Sequence, residues 1–324
     1  MRILSGIQPS GILHIGNYFG MMRPAIAMQA EGEAFYFVAD YHALTSLHDA
    51  QALRANSRQV ALDFLACGLD PDSGALFLQS DVPQVTELAW ILSTVTPMGL
   101  LERCHSYKDK TARGMSASAG LFTYPVLMAA DILIYDSDVV PVGRDQKQHI
   151  EVTRDVAIKM NETFAAADSQ PIFKLPAPRI QETTQTVQGL DGQKMSKSYG
   201  NTIDLFGSEK ETRKRVMSIV TDSTPVEAAK DPHASVIMQL YSLFADQTEV
   251  AAMREAFAKG GTGYGEFKKQ LFGRLWEYFE PMRRRRAEIL AQPDYVDEVL
   301  AKGAVRANAE ADRVMARVRA AVGL

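Results

Sequence analysis

Three consecutive stretches of the chain settle its architecture before any motif is considered. AFYFVAD (34–40) is apolar and aromatic without alternation, the pattern of a strand buried on both faces. A helical segment follows, capped by Asp49 and stopped by Gly68, with Val60, Ala61, Phe64 and Leu65 on one face. ALFLQS (75–80) then reads as a second buried strand. Strand, helix and strand at this spacing form a βαβ unit, so the expected class is α/β: a parallel sheet with helices on both faces. A further helix is expected after Pro83, through QVTELAWILSTV. Ligands of such sheets sit beyond the carboxyl ends of the strands.

Length and composition limit the rest. The chain has 324 residues and a net charge of −4, which predicts more than one domain and argues against wholesale coating of nucleic acid. Two cysteines, Cys67 and Cys104, are too few for a disulfide framework or a four-cysteine metal site, and they read as buried, reduced thiols in a cytoplasmic protein. There is no signal-peptide layout at the start and no run long enough to span a membrane. No protein-held metal is expected. Near residue 186 the character changes. TVQGLDGQKMSKSYGN is polar and rich in glycine, lysine and serine, and beyond it the apolar spacing is helical, with basic clusters at 213–215 and 283–286. This predicts a first domain over 1–188, a loop over 189–203 and a helical region over 204–324 whose last helix packs back on the first domain.

GIQPSGILHIGNYFG (6–20) is a glycine-rich turn between a strand and a helix, a place that usually holds phosphate. Gly6 and Gly11 match the glycines of G-x-x-x-x-G-K-S/T, but Ile12 and Leu13 stand where a P-loop needs lysine and a hydroxyl. The G-x-G-x-x-G fingerprint is absent too. His14 and Asn17 remain, three apart at a helix start that offers N–H groups to an anion. Gly16 leaves room for a flat base to lie on the backbone. An exposed glycine-rich turn with a surface histidine is an equal reading of these residues alone. Downstream, KMSKS (Lys194, Met195, Ser196, Lys197, Ser198) places two lysines three apart among small hydroxyls, a clamp for a polyphosphate whose charge shifts in the transition state. A solvated lysine loop is the plain alternative.

The pairing of H-I-G-N with K-M-S-K-S resembles the class I aminoacyl-tRNA synthetases. The opening SGIQPSG, the stretch AGLFTYPVLMAADILIYDSDVVPVGRDQKQHIEVTRD (119–155), FKKQL and the helical end are similar to the bacterial tryptophan branch. The resemblance covers essentially the whole chain. It implies a Rossmann-type catalytic domain followed by a mainly helical tRNA anticodon-binding domain (204–324), activation of tryptophan by ATP and transfer to tRNA, with Mg2+ carried by the nucleotide, and a cytoplasmic homodimer joined through a surface such as AWILSTVTPMGLL (89–101). His14, Asn17, Lys194 and Lys197 are the implied catalytic residues. Gln8, Ser10, Gly16, Gly143, Asp145 and Gln146 would join them and the pentapeptide at ATP. Leu4, His42, Tyr124, Met128, Asp131 and Gln146 would hold tryptophan. Tyrosine activation, a nucleotidylyltransferase without tRNA and a non-catalytic paralogue binding tryptophan or RNA are the competing expectations.

Chemistry supports the tryptophan branch at one helix. Tyr124, Met128 and Asp131 lie at i, i+4 and i+7 and share a face. Pro125 suits a first turn. Asp131 amid VLMAADILIY reads first, on its residues alone, as a structural carboxylate bonded to backbone or to an arginine. Under the resemblance it becomes the acceptor for an indole N–H, a donor with no acceptor capacity. His42 reads equally as a satisfied core histidine. Lys108, Lys110 and Arg113 form a basic loop that would assist phosphate binding or stay a solvated surface. Arg283, Arg284, Arg285 and Arg286 are expected at the tRNA backbone, against the reading of a solvated face paired with Glu277, Glu280 and Glu288.

Overall fold

The computed structural model describes residues 1–105, 107–108, 118–142, 147–165, 170–180 and 187–324. The chain forms two compact units that do not follow sequence order. One comprises Met1–Gly11, Pro24–Thr183 and Gln292–Leu324; the other comprises Ile12–Arg23 and Thr184–Ala291.

The first unit is an α/β fold of Rossmann type built on five strands: β1 (Arg2–Ile7), β2 (Glu33–Val38), β3 (Gly74–Leu78), β4 (Val139–Val142) and β5 (Ala177–Ile180). Their order is β3-β2-β1-β4-β5, and every pairing is parallel. β1 runs beside β2 from Arg2 opposite Glu33 to Ile7 opposite Val38. The sheet reverses its building direction between β1 and β4, which places the ligand crevice of this topology beside the end of β1. Gly6 is needed there, because a Cβ at that position would overlap the Phe37 ring of β2.

The helices of this unit start where local chemistry says they should. Between β2 and β3 lie α3 (Asp40–Ala43) and α4 (Ala50–Ala66). The Asp49 side chain accepts from the N–H groups of Gln51 and Ala52, and Gly68 ends the turn after α4 at φ 103°. The helices α5 (Gln84–Ser93), α6 (Met98–Glu102), α7 (Ala119–Leu133) and α8 (Lys147–Phe164) follow, and α7 packs on α5 and α8. Pro125 is not in the first turn of α7. Ser118 caps the helix by accepting from Leu121, so the proline falls inside it, and the Leu121 carbonyl lacks its usual helical donor. The apolar face of α7 is buried, and its packing holds the helix through that gap.

The last helix, α14 (Tyr295–Val322), lies along the outer edge of β3. Gly303 permits this, since a Cβ there would overlap the Leu76 carbonyl. Arg306 donates to the Gly74 carbonyl at 3.0 Å, and Asn308 to the Asp81 carbonyl at 2.8 Å. The unpaired strand edge is thereby covered. The basic side of α14 also reaches Asp136, whose backbone is left-handed at φ 48°. Arg317 donates to its Oδ1 at 2.7 Å, and Arg313 adds a second contact. Burial alone would push the Asp136 carboxyl up; these guanidinium groups hold it below the usual range.

The second unit gathers the early turn with helices from the far end of the chain. The turn enters α1 (Ile15–Asn17), continues as a π-helical turn over Tyr18–Met22 and leads into α2 (Arg23–Met28). The other helices are α9 (Glu209–Met217), α10 (Val236–Tyr241), α11 (Gln247–Lys259), α12 (Tyr264–Tyr278) and α13 (Glu280–Leu290). Tyr18 and Phe19 pack edge-on against Phe279, with ring centroids 5.1 and 6.3 Å apart, and the Tyr18 and Tyr278 hydroxyls lie 3.2 Å apart. No helix among the described residues is long and apolar enough to cross a membrane.

Candidate active site

A cavity of about 420 Å3 opens in the first unit beside the end of β1. That volume lies within the ~300–1,000 Å3 range of small-molecule sites. Leu4, His42, Tyr124, Met128 and Asp131 all line it, and Gln8 stands at its wall. The helical spacing of Tyr124, Met128 and Asp131 therefore turns one face of α7 into the cavity. Gly143, Asp145 and Gln146 lie outside the described residues, as do Lys110 and Arg113. Lys108 is exposed.

Asp131 is 2 % exposed, and among the described residues no arginine bonds to its carboxylate. Its partners are His42, whose Nε2 lies 2.8 Å from Oδ2, and Gln79, whose Nε2 donates to Oδ1 at 2.8 Å and Oδ2 at 3.0 Å. The partners that the described residues supply are thus side chains, not the arginine or backbone of the structural reading. Burial pushes the Asp131 carboxyl up, and Asp40 adds to the push; the bonds from His42 and Gln79 oppose it. A carboxylate in this setting is costly to keep, which marks functional positions. His42 and Tyr124 meet edge-on with centroids 6.1 Å apart, and the Tyr124 hydroxyl is hydrogen-bonded to His149 Nε2.

The second unit brings the two sequence signatures together. The Ile15 N–H donates to the Ile203 carbonyl at 3.0 Å, and the Leu205 N–H donates to Leu13 at 2.9 Å. The His14 turn is thus bridged to the strand-like segment that follows KMSKS. The Asn17 side chain accepts from the His14 N–H at 3.0 Å and sets the first turn of the helix. The space beside Gly16 is filled from within: a Cβ there would meet His14 Nδ1 at 2.9 Å and Met195 Cβ at 3.4 Å. Burial, and then the charge of Lys197, holds the His14 imidazolium pKa down at about 4, so the ring is neutral near pH 7. Its Nδ1 is buried without a hydrogen-bond partner among the described residues.

The pentapeptide is an arm that leaves a short hairpin at Lys194, bridged to Gln188, and enters a 3₁₀ turn over Lys197–Tyr199. The Met195 N–H donates to the Val187 carbonyl at 2.9 Å, and Met195 itself is buried, so this residue anchors the arm. Lys194, Lys197 and Ser198 are exposed and Ser196 is half-buried. Partial burial lowers the Lys197 pKa, against the pull of Asp204. Asn201 holds the arm's shape. Its amide accepts from the Ser196 N–H at 2.8 Å and donates to Asp191 at 2.7 Å and to the Lys194 carbonyl at 3.2 Å.

The tetra-arginine run divides. Arg283 lies over the Trp276 ring at 3.6 Å and donates to the Trp276 carbonyl, whereas Arg286 faces Phe206 at 5.1 Å. Arg284 and Arg285 are exposed. Gln8, in the first unit, and Ser10 are exposed as well.

Three residues escaped the sequence reading: Gln79, His149 and Asn201. Gln79 had a usable signal, because it directly follows β3 at the ligand edge of a parallel sheet. His149 and Asn201 act through contacts that no motif spacing encodes.

Comparison with known proteins agrees with this geometry. The family model for class I tRNA synthetases (W and Y) matches residues 1–280. The tryptophan–tRNA ligase of Rhodopirellula baltica is 53% identical over 324 residues, covering all of both chains. That of Fusobacterium nucleatum is 52% identical over 323 residues, covering 100% of this chain and 98% of its own. The crystal structure of tryptophanyl-tRNA synthetase from Campylobacter jejuni complexed with ADP and tryptophan superposes with a TM-score of 0.93 at 48% identity, covering both chains completely. With a cavity at the sheet's crevice, both signatures in one unit and similarity along its full length, this chain belongs to the class I tRNA synthetases of the tryptophan and tyrosine family.

Proposed function

We infer that the protein is a tryptophan–tRNA ligase: it activates L-tryptophan with ATP and transfers the tryptophanyl group to tRNA(Trp). The observation that carries this reading is the buried Asp131 carboxylate in the cavity wall, an acceptor-only group suited to an indole N–H. Met128 offers a polarizable contact to the ring, and Leu4 supplies apolar floor. A pocket built on such a bond rejects phenylalanine, which would leave the carboxylate unpaired.

In the first step the tryptophan carboxylate attacks the α-phosphorus of ATP and pyrophosphate departs. In the second, a ribose hydroxyl at the tRNA end attacks the activated carbonyl and AMP departs. No side chain forms a covalent intermediate, so the protein contributes position and charge stabilisation. The neutral His14 ring donates to a phosphate oxygen without adding a full charge. Lys194 and Lys197 balance the charge that moves toward pyrophosphate, and Asn17 holds the turn that carries His14. Gln8, Ser10, Gly16, Gly143, Asp145 and Gln146 complete the ATP site, and Gln146 with Tyr124 receives the substrate ammonium. Magnesium held on the phosphate oxygens would neutralise the triphosphate.

The remaining partners follow from exposed surface. Arg284 and Arg285, free of the ring contacts that occupy Arg283, are the pair offered to tRNA phosphates. Trp90 and Met98, 73 % and 63 % exposed on α5 and α6, mark the apolar face through which a homodimer would form. The cytoplasm, where tRNA is charged, is the place this activity requires. Pyrophosphate exchange tests the reading: tryptophan should support exchange, tyrosine and phenylalanine should not, and exchange with tyrosine alone would overturn it.

A further inference from the structure

Gln79 is 1 % exposed, and no step of the proposed reaction uses it. All of its polar atoms are nonetheless committed. Its Oε1 accepts from the Tyr41 N–H at 3.1 Å and the His42 N–H at 3.4 Å, while its Nε2 donates to both oxygens of Asp131. The amide cannot be turned over. A flipped group would face two N–H donors with its own NH2 and a carboxylate with its own oxygen. The first turn of α3 therefore fixes the amide, and the amide fixes the carboxylate on α7.

We propose that Gln79 is a positioning residue for amino-acid selection, fixing the orientation of the Asp131 carboxyl and leaving Oδ1 as the oxygen that receives the indole N–H. Oδ2 is already shared by His42 Nε2 and Gln79 Nε2, whereas Oδ1 carries one bond and keeps acceptor capacity. His42 Nε2 bonds to the same carboxyl at 2.8 Å, so the imidazole and the amide together fix its orientation. The proposal rests on the tryptophan reading above, and it adds that selectivity against an analogue without the N–H depends on a residue that need not touch the substrate.

The test compares L-tryptophan with 3-(3-benzothienyl)alanine, in which sulfur replaces the indole N–H, in pyrophosphate exchange by the wild type, Gln79→Glu and Gln79→Met. Gln79→Glu keeps an acceptor for the backbone N–H groups and replaces the fixed amide donor by a carboxyl that shares a proton with Asp131. Gln79→Met fills the space with no polar atom. Thermal unfolding establishes which variants are folded, and the kinetic comparison is read on those. The expected result is a rise in KM for tryptophan of about tenfold or more, with kcat altered by less than about threefold and KM for the sulfur analogue unchanged within about twofold. A folded variant that loses both substrates equally, or neither, overturns the proposal and leaves Gln79 a structural residue. A wild type that uses tryptophan but does not prefer it to the sulfur analogue overturns it as well. A wild type that does not use tryptophan at all sinks the functional reading instead, so the two failures are distinguishable.

Discussion

Asp131 combines near-complete burial with a carboxyl that burial pushes up and that His42 and Gln79 hold by hydrogen bonds, and it lines the cavity. Asp131→Asn should raise KM for tryptophan by ~10–100-fold, the loss of one strong buried bond, while the thermal midpoint stays within a few degrees. Pyrophosphate exchange and calorimetric unfolding check the two halves. The opposite behaviour is expected for the lysines of the arm. Lys194→Ala or Lys197→Ala should slow activation by ~10²–10³-fold, as for removal of a charge-stabilising donor, with tryptophan binding in the absence of ATP retained by titration calorimetry. His14 gives a test without mutation. With its pKa near 4, its ring proton signals should show no titration between about pH 6 and 8, unlike an ordinary histidine near 6.5. At this scale the sequence was most readable in spacing: Tyr124, Met128 and Asp131 share one face of α7 and line one cavity. It marked Gln79 only by its place after β3 and was silent on Asn201; the work of both depends on which backbone N–H groups the fold brings within 3.5 Å.

Among the elements, α7 and α14 show where local rules give way. A proline at the seventh position of a helix contradicts propensity, and only the buried packing of α7 accounts for it. Gly303 likewise sits in mid-helix, where alanine would favour helix by ~1 kcal/mol. Because its Cβ would strike the Leu76 carbonyl, Gly303→Ala should instead destabilise the protein by ~1–3 kcal/mol, read as a lower thermal midpoint. The ion pairs of α14 predict a pH dependence. Asp136, Glu310 and Glu87 all have pKa values held below the usual carboxylate range. Their contribution is present above the unfolded-state value near 4 and is lost as pH falls through the folded values, so stability should drop steeply below about pH 4. Arg317→Met should flatten that drop, measured as midpoint against pH. The βαβ pattern of the early strands was plain in the sequence because both faces of a parallel strand are apolar. That α14 would lie along β3 was not encoded locally: the determining contact joins residues 76 and 303.

Across the whole molecule, the division into a front and a back half that the compositional change near 186 suggests describes chemistry better than it describes compactness. Residues 12–23 cluster with 184–291, and 292–324 cluster with the sheet. The reason lies in the backbone bonds from Ile15 to Ile203 and from Leu205 to Leu13, which no hydropathy profile reports. A fragment spanning 184–291 alone would lack the Tyr18 and Phe19 rings that pack on Phe279, and it should show little cooperative unfolding by circular dichroism. The placement of α14 bears also on synthesis. Until the ribosome has delivered residues 295–322, the outermost strand of the sheet offers its bare backbone to any neighbouring polypeptide. A stalled or prematurely terminated product would therefore be a seed for misassembly, and cells would need to clear it rather than tolerate it as a harmless remnant.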